Sequence, residues 1–431
     1  MNNKNPRYVI YEILYDFFIT KTSLKFIIEK YPFKKKDSAF IINVLKGILR
    51  NKKILDQNIY LYSKRKKVDL KSMILLYIGT YQLLYCDSVP DYAAINTTVD
   101  MSKSINIKSS TFINAILRNI NRQPYKIEKT TPIDIYYSYP KWFLEELKKT
   151  YKNEIHSICE ANSKEPPLWL RINTLKSSLD EILNILSTEK ILFSQDEFLS
   201  NFIKLRCFDN KGILLNLIKE GKVYAQNPSS GFVVNLLNPF KNDTILDACS
   251  APGGKASYIA ELTKNKIDMT CMDINENRME KMKKNFNVLK VGNVNFLNAN
   301  ANSIKNNKKY NKILLDLPCT SSGTIRKNPD IKWTISKDNL RKIKKIQYSI
   351  LDNMKNSLKD RGEIVYSTCS ILPEENNKNI IKFLNENSNF SIPKIHQDFP
   401  DIFKNKLGGI TILPNNRGYE GMFAVKIKKN A

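Results

Sequence analysis

Thr244-Ile245-Leu246-Asp247-Ala248-Cys249-Ser250-Ala251-Pro252-Gly253-Gly254-Lys255-Ala256-Ser257-Tyr258-Ile259-Ala260-Glu261-Leu262 reads as a short apolar strand, a turn built on two glycines, and a helix. Without a Cβ, the glycines let the backbone pass close to a ligand, and the first turn of the helix offers N–H groups with no intrahelical partner. The stretch is neither the GxGxxG of a dinucleotide site nor the GxxxxGK[ST] of a P-loop, so a cofactor without a pyrophosphate fits better. Asp273 ends the next strand-like run, Met269-Thr270-Cys271-Met272-Asp273, nineteen residues beyond Gly254. That is close to the spacing of about 20 at which an acid holds ribose hydroxyls in Rossmann-type sites. Loop and acid together point to an adenosine-containing ligand.

Downstream, the strand-like runs Val294-Asn295-Phe296-Leu297, Lys312-Ile313-Leu314-Leu315-Asp316 and Gly362-Glu363-Ile364-Val365-Tyr366 alternate with helical pattern, the βαβ rhythm of a doubly wound sheet. Phe423-Ala424-Val425-Lys426-Ile427 is expected to close that sheet as an edge strand. Two of the runs lead directly into cysteines, in Leu315-Asp316-Leu317-Pro318-Cys319 and in Tyr366-Ser367-Thr368-Cys369-Ser370-Ile371-Leu372-Pro373-Glu374-Glu375-Asn376. Ligands of open α/β sheets bind outside the carboxyl ends of the strands, so two thiols and the Asp316 carboxylate are expected in one crevice. A thiolate there, near Lys255 or Arg326, is a strong carbon nucleophile, and Asp316 supplies a hydrogen bond or a proton as charge develops. The stretch from Gly323 to Trp333 combines basic, turn and aromatic residues, which suits a strand-binding loop.

In the first 125 residues, apolar side chains recur at Ile10, Ile13, Leu14, Phe17, Phe18, at Ile41, Val44, Leu45, Ile48, Leu49, and at Phe112, Ile113, Ile116, Leu117, Ile120. This is the period of amphipathic helices, and residues 1–125 are read as an all-helical bundle. The bundle carries 21 basic and 9 acidic residues, a net of +12, with clusters at Lys34-Lys35-Lys36 and Lys64-Arg65-Lys66-Lys67. A polar stretch with Pro124 and Pro132 separates it from residues 133–225. There a helical pattern at Trp142, Phe143 and Leu147 precedes the strand-like Leu168-Trp169-Leu170-Arg171-Ile172 and Phe202-Ile203-Lys204-Leu205, a small α+β module. Residues 226–431 form the α/β domain.

The whole chain of 431 residues holds 69 Lys and Arg against 42 Asp and Glu, a formal charge of +27 that suits a phosphate-rich partner. The abundance of Lys, Asn and Ile is also what an AT-rich genome produces, so charge alone leaves nucleic-acid binding open. Seven scattered cysteines without CxxC spacing fit neither a disulfide scaffold nor a zinc site, and no metal is expected. With His156 and His396 the only histidines, a histidine-based triad has little to draw on. Neither a signal peptide nor a membrane span is legible, and a cytoplasmic monomer is expected.

These motifs resemble those of the bacterial ribosomal RNA small-subunit methyltransferase B group, within the NOL1/NOP2/Sun family of RNA cytosine-C5 methyltransferases. The resemblance rests on residues 247–255, 316–333 and 366–376, on Leu170-Arg171-Ile172-Asn173-Thr174-Leu175-Lys176 and on Gln226-Asn227-Pro228-Ser229-Ser230. Less specifically, Gly79-Thr80-Tyr81-Gln82-Leu83-Leu84 and Phe112-Ile113-Asn114-Ala115-Ile116-Leu117-Arg118 are similar to the NusB-type RNA-binding domain of the same group. It implies a multidomain chain with a NusB-like bundle, a small α+β linker module and a Rossmann-like class I methyltransferase domain. It implies S-adenosyl-L-methionine as cofactor, held by Cys249, Ser250, Ala251, Pro252, Gly253, Gly254, Lys255, Asp273, Asn300 and Asp316. The implied partner is 16S ribosomal RNA, naked or in an early small-subunit particle.

By the same resemblance Cys369 attacks C6 of a cytosine, Asp316 protonates or hydrogen-bonds N3, and Cys319 assists release of the enzyme from the product. DNA cytosine methyltransferases use the cysteine of a Pro-Cys motif as nucleophile, which makes Cys319 the rival. Asn227 and Asn300 stand where the family pattern leads one to expect aspartates. Transfer RNA as substrate, and a non-catalytic RNA-binding or antitermination role, are the alternatives; the retention of Cys369, Cys319 and Asp316 argues against the second.

Overall fold

The computed structural model describes residues 5–64, 67–105, 108–207, 211–305, 308–397 and 399–430; Arg65 and Lys66 of the basic cluster, and the side chain of Cys207, lie outside the described residues. The chain divides into two compact units, residues 1–163 with 327–335, and residues 164–326 with 336–431.

In the first unit, long helices span Pro6–Thr20, Ser38–Tyr62, Leu70–Tyr85, Asp91–Ser104 and Ser110–Arg122. Their buried faces carry the periodic residues: Ile10, Ile13, Leu14, Phe17, Ile41, Val44, Leu45, Ile48, Leu49, Ile113, Ile116, Leu117 and Ile120 share one core, with Phe18 and Phe112 half-buried at its edge. Asn5 and Asp69 cap two of the helices through their side chains, each satisfying a first-turn N–H. Among the described residues no helix is long and apolar enough to cross a membrane.

The segment 327–335 belongs to this helical unit. Asp330 accepts hydrogen bonds from Leu24 N at 3.0 Å and Ser23 Oγ at 3.3 Å, at the start of the short helix Leu24–Ile28. Trp333 Nε1 donates to the Leu49 carbonyl at 2.7 Å. Lys332, 1% exposed, donates to the carbonyls of Arg50 and Tyr137 at 2.9 and 3.3 Å and lies 4.8 Å from the Tyr139 ring centroid. The basic and aromatic residues read as a strand-binding loop are therefore structural at Lys332 and Trp333. The Arg50 and Leu49 carbonyls lie 282 and 284 residues away in sequence and the Tyr137 carbonyl 195, all beyond the reach of any local pattern.

The second unit holds two sheets. The smaller is antiparallel throughout, with strands β1 (Leu168–Ile172), β2 (Leu192–Gln195), β3 (Phe202–Cys207) and β4 (Val223–Ala225) in the order β2-β3-β1-β4. The larger contains β5 (Thr244–Asp247), β6 (Asp268–Asp273), β7 (Val294–Asn298), β8 (Tyr310–Asp316), β9 (Leu358–Thr368), β10 (Phe390–Ser391), β11 (Ile410–Ile412) and β12 (Met422–Lys429). Its order is β10-β12-β9-β8-β5-β6-β7, with β11 also paired to β12.

Strands β5 to β9 are mutually parallel and β12 runs antiparallel to β9. The run 423–427, expected at the edge, belongs to a strand inside the sheet, because β11 pairs with residues 422–424 and β10 with residues 428–429 on the far side of β12. The chain adds β6 and β7 on one side of β5, then returns to add β8 and β9 on the other. The strand order thus reverses between β5 and β8, the kind of switch point at which open α/β sheets leave a crevice for ligands.

Candidate active site

The loop after β5 is held in shape by its neighbours. Ser250 N donates to the Met272 carbonyl at 2.9 Å, Gly253 N to the Ser250 carbonyl at 2.7 Å, and Ala251 N to Asp273 Oδ2 at 3.1 Å. Gly253 has φ of 93°, and a Cβ there would come within 2.4 Å of the Phe286 ring, so both backbone and packing demand glycine. The helix Gly254–Thr263 starts immediately after it. Asp273, 4% exposed at the end of β6, also accepts from Asn275 N at 2.9 Å and lies 3.6 Å from Arg278 Nη1.

Asp247, Asp273 and Asp316 end three neighbouring strands of the sheet. Burial, with Asp316 nearby, pushes the Asp247 carboxyl up to about 7. Carboxylates beside a glycine turn suit ribose hydroxyls and a sulfonium cation, and this set fits S-adenosyl-L-methionine in its chemistry. Cys249, in the same loop, is half-buried, and burial raises its thiol. Asn300 is exposed after β7, where its Oδ1 accepts from Asn302 N at 2.9 Å.

Lys255, in the first turn of that helix, spans from the loop to the end of β8: its Nζ lies 2.6 Å from Asp316 Oδ2. Burial works against the charge on Lys255, yet Asp316, with Cys369 and Asp247 further out, holds its ammonium above the ordinary lysine range. Asp316 Oδ1 accepts at 3.2 Å from Ser367 Oγ, its direct cross-strand partner on β9.

The two cysteines read as neighbours are neighbours. Cys319 Sγ and Cys369 Sγ are 3.1 Å apart, both half-buried, with Ser321 Oγ 3.3 Å from Cys369 Sγ and 3.9 Å from Cys319 Sγ. Cys86, Cys159 and Cys271, by contrast, are buried. The Cys319 thiol is pushed well up, first by its hydrogen bond to Cys369, then by burial. Glu375 adds to the rise of the Cys319 thiol. At 3.1 Å either sulfur can donate to the other.

Close backbone contact locks the two loops together. Gly323 N donates to the Cys369 carbonyl at 2.9 Å and Gly421 N to the Gly323 carbonyl at 2.7 Å; a Cβ on Gly323 would lie 2.2 Å from the Gly421 carbonyl oxygen.

Asn227 fills its place without a charge. Its Oδ1 accepts from Ser229 N and Glu420 N, each at 3.1 Å, capping the helix Pro228–Leu237. Its amide also reaches the Gly418 carbonyl at 3.5 Å, a bond that an ionised aspartate has no hydrogen to make.

The role of Arg171 was not legible in its motif. From β1 of the smaller sheet its fully buried guanidinium donates to the Gly254 carbonyl at 2.8 Å, to Ser257 Oγ at 2.8 Å, to Glu261 Oε1 at 2.7 Å and to Gln226 Oε1. It thereby ties the smaller sheet to the helix of the glycine loop. An arginine inside the apolar run Leu168–Ile172, with a glutamate on the buried side of the later helix, was the available signal.

Comparison with known proteins agrees with this architecture. Residues 234–428 match the family described as 16S rRNA methyltransferase RsmB/F, residues 4–122 the NusB family, and residues 139–208 the ferredoxin-like domain of RsmF/B-like methyltransferases. The fold is that of a Rossmann-like methyltransferase domain preceded by a ferredoxin-like module and a NusB-type helical domain.

The chain is 35% identical over 381 residues to ribosomal RNA small subunit methyltransferase B of Proteus mirabilis, covering 85% of this chain and 87% of that one. It is 30% identical over 410 residues to the protein of that name from Shewanella oneidensis, covering 93% of each. A methyltransferase homolog protein from Pyrococcus horikoshii superimposes with a TM-score of 0.61 at 27% identity, over 69% of this chain and 97% of that one. The crystal structure of PH0851 shares the fold, with a TM-score of 0.81 at 23% identity over 99% of this chain and 100% of that one. The chain belongs to the ribosomal RNA small subunit methyltransferase B family.

Proposed function

We propose that this protein methylates C5 of a cytidine in 16S ribosomal RNA, using S-adenosyl-L-methionine and a transient covalent bond between Cys369 and C6 of the base. The observation that carries the reading is the pair of sulfurs 3.1 Å apart, beside the Lys255–Asp316 ion pair and the glycine loop. Residues 249–255 with Asp273, Asn300 and Asp316 would hold the cofactor, which supplies an electrophilic methyl group when bound.

C5 of cytosine is a poor nucleophile while the ring is conjugated. Attack of the Cys369 thiolate on C6 breaks that conjugation and makes C5 enamine-like, while Asp316 supplies a hydrogen bond or proton at N3. Cys319 beside Cys369 would then take the proton from C5 while its own proton passes to the departing Cys369 sulfur, so that the C6–S bond breaks and the base regains its aromaticity. The target base must be unpaired or flipped out, since stacking in an A-form helix covers the ring faces. The basic helical domain would contribute backbone affinity. We read residues 1–125, 133–225 and 226–431 as the RNA-binding, linking and catalytic modules, acting in the cytoplasm as a monomer.

Bisulfite sequencing of ribosomal and transfer RNA from cells with and without the gene tests the assignment. Loss of a single 5-methylcytosine in 16S ribosomal RNA is the expected result. A lost mark in transfer RNA with an unchanged 16S pattern would redirect it, and no change in either would overturn the enzymatic reading.

A further inference from the structure

Beyond the two thiols, a buried carboxylate grips both loops that carry them. Glu375, 0% exposed, uses Oε1 to accept from Ser370 Oγ at 2.6 Å and from Thr320 Oγ1, and Oε2 to accept from Thr320 N at 2.8 Å and Gln347 Nε2 at 3.0 Å. Thr320 directly follows Cys319 and Ser370 directly follows Cys369. Gln347 Nε2 also reaches the Pro318 carbonyl at 2.9 Å, so Cys319 is held from both flanking residues. Ser322 Oγ completes the junction, 2.9 Å from Ser370 Oγ and accepting from Ile371 N at 3.0 Å. All four acceptor directions of one carboxylate are thus occupied by donors, among them groups from two loops that are fifty residues apart in sequence.

We propose that Glu375 is a positioning residue whose carboxylate, by bridging Thr320 and Ser370, holds the Cys319 and Cys369 sulfurs within reach of one another. The proposal rests on the two-cysteine reading of the reaction. Proton transfer between groups on separate loops depends on near-attack geometry, and a misplacement of about 1 Å can cost about 100-fold in rate. The substitution Glu375→Gln would keep most of the bridge: the new carbonyl oxygen can accept from Thr320 N and Gln347, and the new amide can donate to the two hydroxyls, which also accept. An aspartate in its place keeps the charge but is one methylene too short to reach both loops. The order of E375Q and E375D therefore separates positioning from charge.

The test uses the full-length chain and phenylarsine oxide, which condenses with two adjacent thiols; both thiol protons leave with the oxide oxygen as water, and arsenic bridges the sulfurs. Wild type is expected to take up one equivalent that resists a monothiol and is removed by a dithiol, and C319A to take up none. E375A is expected to lose this capture and about 100-fold in kcat, with the cofactor KM changed by less than about twofold. E375Q should retain the capture with a loss in kcat of no more than about tenfold, and E375D should fall well below E375Q. Capture by E375A at the wild-type rate, or E375D exceeding E375Q, would overturn the proposal. Should E375A not fold, the comparison of E375Q with E375D still decides it. Because capture needs no RNA, it reports on the bridge even where the RNA assignment fails.

Discussion

Lys255 Nζ lies 2.6 Å from Asp316 Oδ2, joining the first turn of the glycine-loop helix to the end of the strand that leads into Cys319. One ion pair therefore links the proposed cofactor loop with the proposed base site. D316N should lower kcat by roughly 10²–10⁴-fold, the range of a lost acid–base or hydrogen-bonding group, while leaving the protein folded. K255M should weaken both cofactor binding and turnover. Combining the two should cost less than the product of the separate effects, since each single change leaves the other charge without its partner. Steady-state kinetics of the four proteins measures this; multiplicative effects would show that the pair acts as two independent groups.

Two sulfurs in contact can share a reaction unequally. C369A should abolish turnover while sparing cofactor binding, and C319A should accumulate a covalent RNA adduct that survives denaturing gel electrophoresis. An adduct in C369A instead would exchange the roles of the two cysteines.

Arg171 and Glu261 form an ion pair in which each side chain is at most 1% exposed. Removing one partner strands a buried charge, and R171M is expected to destabilise the second unit by about 3–5 kcal/mol. The double variant R171M/E261M should recover part of that loss. Chemical denaturation of the full chain followed by Trp169, which lies on the same strand, is the measurement, and a double variant worse than either single would contradict the assignment.

Lys332 should make stability depend on pH. Burial lowers its ammonium to about 7 from an ordinary value of 10.5. The folded chain then binds this proton more weakly than the unfolded chain, so unfolding takes up protons between these values and stability rises with pH across that window. Thermal melts from pH 7 to about pH 10 should show wild type gaining on K332M as pH increases. Parallel profiles would mean that the carbonyls of Arg50 and Tyr137 hold the charge without penalty.

Much of this arrangement is written locally. The apolar runs at 244–247, 312–316 and 362–366 are buried parallel strands, and a strand followed by a glycine turn or a Pro-Cys pair already implies where the crevice opens. What escaped is what depends on distant partners. The run at 423–427 has the same pattern whether its strand is outermost or has further strands beyond it, and only the short strands at 390–391 and 410–412 decide between these. Trp333 and Lys332 look like ligand-binding side chains until the Leu49 and Arg50 carbonyls are brought to them. Glu375 sits in an acidic pair after Pro373, and nothing there distinguishes it from its neighbour Glu374, which forms an i,i+4 pair with Lys378.

The placement of 327–335 bears on how this architecture can be inherited. A chain built as beads on a thread can lose or trade its first bead without harm to the rest. Here a peptide from far along the thread forms part of the first bead. Cutting after residue 125 would strip Asp330, Lys332 and Trp333 of the Ser23, Leu24, Leu49 and Arg50 groups that receive them, leaving a buried cation and an indole newly open to water. The helical domain and its catalytic partner are thus expected to be transmitted as one indivisible gene segment, and a deletion of the first domain reports on this exposed seam as well as on RNA.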